Sequence, residues 1–352
     1  MNRIHTELAS IVKDKIRTGG PMTFRDFMAA ALFHETHGFY TQAPSIGSPT
    51  GPFDTSAKFT AFGFGVAQAI EQAAKIIGAP FRVLELGGGT GQLGASISSF
   101  LTIPHDYVIL EKSPGLRAKQ TEKGLLAIAT LDGLDPAATI VFANEVLDAL
   151  PVHRVMGMGN EEVCEFFVDL DENGEFFEQT GEISTPQLHQ RLQEGHIHLG
   201  RGQIAELCLE LTSFLQVLER VVKPGYLIFV DYGDKASNIY SYRNRNGTLR
   251  FYYQQQQIYD PFFAVGQQDM TADVDFTAVI AEAEAMGIEF AGSTSQGAWL
   301  TNLGIQNFVE AGGDTRSRQQ EVDLLTSEAS LGSAFDVLIL KTPGLPDGPG
   351  FS

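Results

Sequence analysis

Residues 83–93 read VLELGGGTGQL, with Glu85 followed by Gly87, Gly89 and Gly91 in the pattern E-x-G-x-G-x-G. A dinucleotide fingerprint, G-x-G-x-x-G, counted from Gly87 would need glycine at position 92, where the chain has Gln92. Alternate glycines let a backbone pass close beneath a nucleoside, and the glutamate keeps a carboxylate at the end of the preceding apolar run. A pyrophosphate is repelled by that carboxylate. A ligand carrying an ammonium and a sulfonium is not, and this points to S-adenosylmethionine. A helix opening after the loop offers its N-terminus to the ligand's own carboxylate, worth about 0.3–1 kcal/mol at exposed sites. Glu111 ends the next apolar run, twenty residues beyond Gly91. An acid at that place can accept both ribose hydroxyls, a feature shared with NAD-binding folds.

A second set of candidates lies in NEVLDALP, residues 144–151: Asn144, Glu145 and Asp148. Glu145 and Asp148 are three apart, so a helical turn would put them on one face. Two carboxylates there could grip a guanidinium as a fork. Arginine keeps its proton in water (pKa above ~12), and its lone pairs are delocalised. Carboxylates would draw the positive charge away from an attacking nitrogen, orient it and offer a place for its proton. Most of the acceleration would come from holding nitrogen and methyl carbon ~3–3.5 Å apart. The plainer reading, in which Asp148 caps a helix and Asn144 secures a turn, stays open beside it.

These residues need a scaffold, and the chain supplies an α/β rhythm. FRVLEL, YVILE (107–111), LLAIATL and TIVFANE (139–145) read as strands, with helices over 91–101 and in GLRAKQTEKG between them. YLIFVDYG, GIEFAGS and FDVLIL add further strands. Strands alternating with helices predict a mostly parallel sheet, with ligands bound beyond its carboxyl edge. Helical spacing also marks residues 3–17, 62–77, 203–222 and 276–286, and Thr23 is placed to cap a helix whose apolar face is Phe24, Phe27, Met28, Ala31 and Leu32. Residues 41–57 read as a long loop, and VCEFFVDLDENGEFFEQT as a hairpin around ENG. The rhythm is interrupted at about 152–200 and 234–275, which predicts insertions, and 342–352 reads as a loose tail. The expected organisation is an N-terminal helical segment and loop over 1–60 and a methyltransferase domain over 61–341.

The 352 residues carry 43 acidic side chains against 24 Lys plus Arg, a net charge of -19. That balance opposes a nucleic-acid partner, which needs a basic face. It suits a soluble enzyme able to attract a basic protein segment. Only Cys164 and Cys208 occur, both among apolar residues, so buried free thiols are expected and no disulfide framework. No metal is expected: HETH spaces His34 and His37 three apart without H-E-x-x-H, and DLDENG lacks the glutamate that an EF-hand loop has at its twelfth position, here Thr180. No G-x-S-x-G elbow supports a serine hydrolase. No apolar run reaches the ~18 residues of a membrane span. The opening MNRIHTELASIVKDK has no apolar signal core, and its acids Glu7 and Asp14 argue against a transit peptide, so a cytoplasmic setting is expected.

Several blocks in one order carry a resemblance: GPMTFRDFMAAALFHETHGFY, GPFDTSAKF, VLELGGGTGQL, LEKSPGLRAKQ, ANEVLDALPVHRV, VDYG, GTLRFYY, DMTADVDF and TSQGAWLTNLGI. Over about residues 20–341 the chain resembles the MidA family of class I methyltransferases, which includes the mitochondrial arginine methyltransferase needed for respiratory complex I assembly. The resemblance implies a Rossmann-like, seven-stranded, mostly parallel sheet with an N-terminal helical addition and insertions. It implies S-adenosylmethionine as cofactor and a protein substrate with an accessible arginine, a complex I subunit among the candidates. Glu85, Gly87, Gly89, Gly91 and Glu111 fall on the donor-binding motifs, and Asn144, Glu145 and Asp148 on the N-E-x-x-D-A-L-P block. Thr55 and Ser56 fall on a T-S loop expected to cover the cofactor. The chain departs at Gly88, Pro52, Ala57 and Asp273, where the family more often has proline, an acid, proline and histidine. Two other readings stay open: a small-molecule methyltransferase, and a non-catalytic assembly factor that keeps the fold. An oligomer is left open as well.

Overall fold

The computed structural model describes residues 3–42 and 55–351. Most of the loop expected over 41–57 lies outside the described residues. The chain divides into two compact units, one of Pro44–Val146, Ser213–Tyr232 and Val279–Ser352, the other of Met1–Ala43, Leu147–Thr212 and Gly233–Ala278.

The first unit is built on a seven-stranded sheet: β1 (Phe81–Leu86), β2 (His105–Leu110), β3 (Leu126–Ile128), β4 (Ala137–Asn144), β5 (Val222–Asp231), β6 (Glu289–Ser295) and β7 (Asp336–Lys341). Their order across the sheet is β6-β7-β5-β4-β1-β2-β3. Strands β1 to β5 pair in parallel, and β7 runs antiparallel to both β5 and β6. This is the class I methyltransferase sheet. The central strands are nearly continuous apolar runs because both faces are covered. On one face the helix Thr60–Ile77 packs Phe62, Val66 and Ile70 with Ile140, Phe142 and Ile228 in one buried core. The chain leaves β1 towards β2 and β3, then returns to the other side of β1 as β4. The crevice beyond the carboxyl ends of β1 and β4 is thus the switch point at which such sheets bind ligands.

The N-terminal segment and both insertions fold together as the second unit. Glu7–Gly19 and Phe24–Phe33 are helical. Thr23 caps the second of these, its Oγ1 accepting from the Asp26 N–H at 3.1 Å. The buried face of this helix is the one its spacing predicts, Phe24, Phe27, Met28, Ala31 and Leu32. The expected hairpin pairs Glu162–Leu170 with Phe176–Gly181, and Asp171 Oδ1 closes its turn by accepting from the N–H groups of Asn173 and Glu175 at 2.9 and 2.8 Å. Glu162–Leu170 also pairs with His153–Gly159, which pairs in turn with Ile204–Leu207.

That last strand corrects the expected helix over 203–222, of which only Leu211–Val221 is helical. Ala205 and Leu207 face one core together with Val155, a period of two that overlaps the helical spacing of the same short apolar run. The tail is a second correction. Trp299 Nε1 donates to the Pro349 carbonyl, Asn302 Nδ2 to the Gly350 carbonyl and the Gly350 N–H to Gln72, at 3.0, 3.0 and 3.1 Å. A glycine- and proline-rich segment is held because its backbone groups find side-chain partners. Cys164 and Cys208 are free thiols, half-buried rather than buried.

Candidate active site

The glycine loop takes its shape from three left-handed residues, Gly87, Gly89 and Gly91, at φ of 65°, 52° and 75°. Only glycine adopts such a run without strain. Backbone hydrogen bonds fix it: the Gly87 N–H donates to Leu110 at 2.9 Å, and the Gly91 N–H to Gly88 at 2.8 Å. Gly91 then serves as the N-cap of the helix Gln92–Phe100. Without a capping side chain, the first N–H groups of this helix face the crevice end of the loop. Thr90 Oγ1 in the loop and Asn144 Oδ1 at the end of β4 are buried and find no hydrogen-bond partner among the described residues. Orphaned polar atoms in the two loops that border a switch point suit a polar ligand.

Glu85 ends β1 beneath the helix. Tyr107, two residues back on the neighbouring strand and on the same face, donates its hydroxyl to Glu85 Oε2 at 3.0 Å. Burial, and then the charge of Glu111, raise the Glu85 carboxyl to about 7 against the lowering effect of Tyr107. Glu111 follows β2 and accepts from the Ser113 N–H at 2.9 Å. Burial raises its carboxyl as well, opposed by the hydrogen bond from Ser113 and by the Arg117 charge. Both acids are almost fully buried, and the repulsion between them is of the kind a cationic ligand relieves.

After β4 the chain does not form the helical turn expected over NEVLDALP. Residues 145–150 are bends and turns, and Glu145 is left-handed at φ 53°. The reason lies on the neighbouring strand: the Glu145 N–H donates to the Val230 carbonyl at 2.9 Å, and the Val146 N–H to Asp231 Oδ2 at 3.1 Å. These bonds from the end of β5 hold the chain out of helical geometry. Glu145 Oε1 instead gathers two donors, Thr55 Oγ1 at 2.5 Å and Asn144 Nδ2 at 2.7 Å. Thr55, Asn144 and Glu145 therefore form one cluster. Asp148, buried, belongs to the second unit, where its carbonyl accepts from the Ala272 N–H at 3.0 Å. Ser56 is fully buried and donates to Gln296 Oε1 at 2.9 Å, so its hydroxyl anchors the short 3-10 helix Ser56–Lys58.

Two residues of this region escape the sequence reading. Tyr107 sits inside an apolar strand, and only its alternation with Ile109 hints that it shares a face with Glu85. Gln120 is fully buried in the helix Pro114–Glu122, four residues after Leu116, and donates to the Gly89 carbonyl at 2.8 Å. An amide among the inward positions of an amphipathic helix is the signal that marks it. Elsewhere His34 Nδ1 accepts from the N–H groups of Thr36 and His37 at 3.3 and 3.2 Å, and so organises a turn. Among the described residues no group of three His, Cys, Asp or Glu is placed to hold a metal ion, and no helix is long and apolar enough to cross a membrane.

Comparison with known proteins agrees with this geometry. The model of a family described as S-adenosyl-L-methionine-dependent methyltransferase matches residues 65–294. A Drosophila melanogaster relative, named protein arginine methyltransferase NDUFAF7 homolog, mitochondrial, is 26% identical over 96% of this chain and 85% of its own length. The Rattus norvegicus protein arginine methyltransferase NDUFAF7 is 26% identical over 93% of this chain and 82% of its own. A Burkholderia thailandensis protein crystallised with S-adenosyl-homocysteine superposes with a TM-score of 0.91 at 26% identity, covering 100% of this chain and 98% of its own.

Proposed function

Because the chain belongs to this family of S-adenosyl-L-methionine-dependent methyltransferases, we propose that it methylates an arginine of a partner protein. Its cofactor is S-adenosylmethionine. The bound donor supplies a methyl group activated on a sulfonium. In this reading Gly87, Gly89 and Gly91 carry the backbone under the nucleoside. Glu111 takes the ribose hydroxyls, and Glu85 sets the negative field behind the loop. Thr55 and Asn144 fix the carboxylate of Glu145, and Ser56 anchors the segment that holds Thr55 in place. Glu145 receives the guanidinium and draws its charge from the reacting nitrogen, and the resemblance over the N-E-x-x-D-A-L-P block assigns Asp148 to the acceptor as well.

The observation that carries the acceptor class is the pair of relatives named protein arginine methyltransferases, each spanning nearly the whole chain. The sequence resemblance extends the proposal to a respiratory complex I subunit as one such partner. The test is transfer of labelled methyl from the donor into lysate proteins and basic peptides, followed by hydrolysis. Label recovered as methylarginine supports the proposal. Label confined to small molecules favours a small-molecule acceptor, and donor binding without any transfer favours a non-catalytic assembly factor.

A further inference from the structure

We propose that Gln296, the glutamine of the block TSQGAWLTNLGI, is a positioning residue: through Ser56 and Thr55 it holds the carboxylate of Glu145 where the acceptor nitrogen meets it. The inference rests on the reading of Glu145 as the carboxylate that receives the guanidinium. A line of hydrogen bonds carries it, all within the first unit. Gln296 opens the helix Gln296–Asn302 directly after β6 and is fully buried. Its Oε1 accepts from the Ser56 hydroxyl at 2.9 Å. Its Nε2 donates to the Leu331 carbonyl at 3.2 Å and to the Leu325 carbonyl at 3.4 Å, and its backbone N–H donates to the Phe335 carbonyl at 2.9 Å. The amide is thus fixed from behind before it meets Ser56. The Phe59 N–H donates to the Ser56 carbonyl at 3.1 Å, so Ser56 is held at side chain and backbone alike. Thr55, one residue back, donates to Glu145 Oε1 at 2.5 Å, and Asn144 Nδ2 donates to the same oxygen at 2.7 Å.

The backbone around Gln296 is built to keep this amide in one place. A Cβ at Gly297 would lie 2.6 Å from the Thr326 carbonyl oxygen, and one at Gly332 would lie 2.6 Å from the same atom. Two glycines therefore let the start of the helix and the turn after Thr326 close on each other. That approach brings the Leu325 and Leu331 carbonyls within reach of Gln296. Leucine would fill similar space, but it would strand the buried Ser56 hydroxyl and remove the donor to both carbonyls. A buried amide satisfied at both ends specifies one geometry, which apolar packing alone does not. That geometry passes to Thr55 because Thr55 and Ser56 are neighbours in the chain. At a reacting group, a misplacement of about 1 Å can cost on the order of a hundredfold in rate.

The test uses the full chain, labelled S-adenosylmethionine and an arginine-rich peptide as acceptor. Gln296→Leu should lower kcat about tenfold at saturating donor, while the dissociation constant of S-adenosyl-homocysteine stays within about twofold of the parent. Ser56→Ala breaks the same contact with a smaller change, and it reads the same effect if Gln296→Leu does not fold. The two combined should lose no more than either alone, because they cut one link. A merely structural pair would lower the amount of folded protein and leave kcat per folded molecule unchanged. Parent kcat in folded Gln296→Leu or Ser56→Ala overturns the proposal. So does a loss confined to donor affinity, which would set the segment over the donor. Glu145→Gln separates the two ideas. Parent kcat there, or no transfer by the parent chain itself, removes the reading of Glu145. A loss there with none at Gln296 or Ser56 removes only the positioning role.

Discussion

Burial lifts the Glu85 carboxyl from its ordinary 4.5 to about 7, with the charge of Glu111 on the neighbouring strand end adding to it against the hydrogen bond from Tyr107. Between those two values the folded protein keeps a proton that the unfolded chain releases. The stability this group contributes is therefore complete below pH 4.5 and is lost as the pH rises through about 7. Glu85→Gln removes the ionisation. It should leave stability nearly unchanged at pH 5 and raise it at pH 8, by on the order of 2–3 kcal/mol. Chemical denaturation at both pH values checks this, and an equal effect at the two contradicts it.

Gly94 faces the same carboxylate from the helix Gln92–Phe100. A Cβ there would lie 2.5 Å from Glu85 Oε2 and 3.2 Å from Tyr107 Cε1. Gly94→Ala should destabilise by about 1–3 kcal/mol, outweighing the gain of about 1 kcal/mol that alanine brings to a helix interior. Removing the obstacle with Glu85→Ala should recover part of the loss. A double-mutant cycle would show coupling of about 1 kcal/mol, while strictly additive effects would rule out the steric relationship.

Thr55 has two tasks: it donates to Glu145, and it accepts from the Ala57 N–H at 3.1 Å and from Asn144 Nδ2 at 3.4 Å. Thr55→Val removes both and should cost about 1–2 kcal/mol of stability, with methyl transfer reduced; Thr55→Ser should stay within about 0.5 kcal/mol of the parent. Thermal unfolding and transfer assays on the pair decide it, and indistinguishable valine and serine variants would refute the hydrogen-bonding role.

Asp148→Ala is expected to leave donor affinity intact while transfer falls about 10²–10⁴-fold. Paired calorimetry and labelled-methyl assays make the comparison. Weakened donor binding in this variant would move Asp148 from the acceptor side to the donor side.

The form of the glycine loop was legible because it is local. Strand, acid, three glycines and helix occupy one short stretch, and the left-handed angles follow from residue type. The capped helix at Thr23 was legible for the same reason. What the sequence hides is set by partners far along the chain. NEVLDALP has helical spacing, yet the carbonyl of Val230 and the carboxylate of Asp231 capture its first N–H groups. Ile204–Leu207 becomes a strand because His153–Gly159 offers it an edge. Gln120 looks like one polar residue of a charged helix until the Gly89 carbonyl is placed beside it.

The central claim is that the glycine loop and Glu111 together hold the adenosyl donor. Its most direct test is the dissociation constant of S-adenosyl-homocysteine for Glu111→Ala beside that of the parent chain at one pH. The account predicts an increase of about ten- to a hundredfold in a variant that still folds; equal dissociation constants would contradict it.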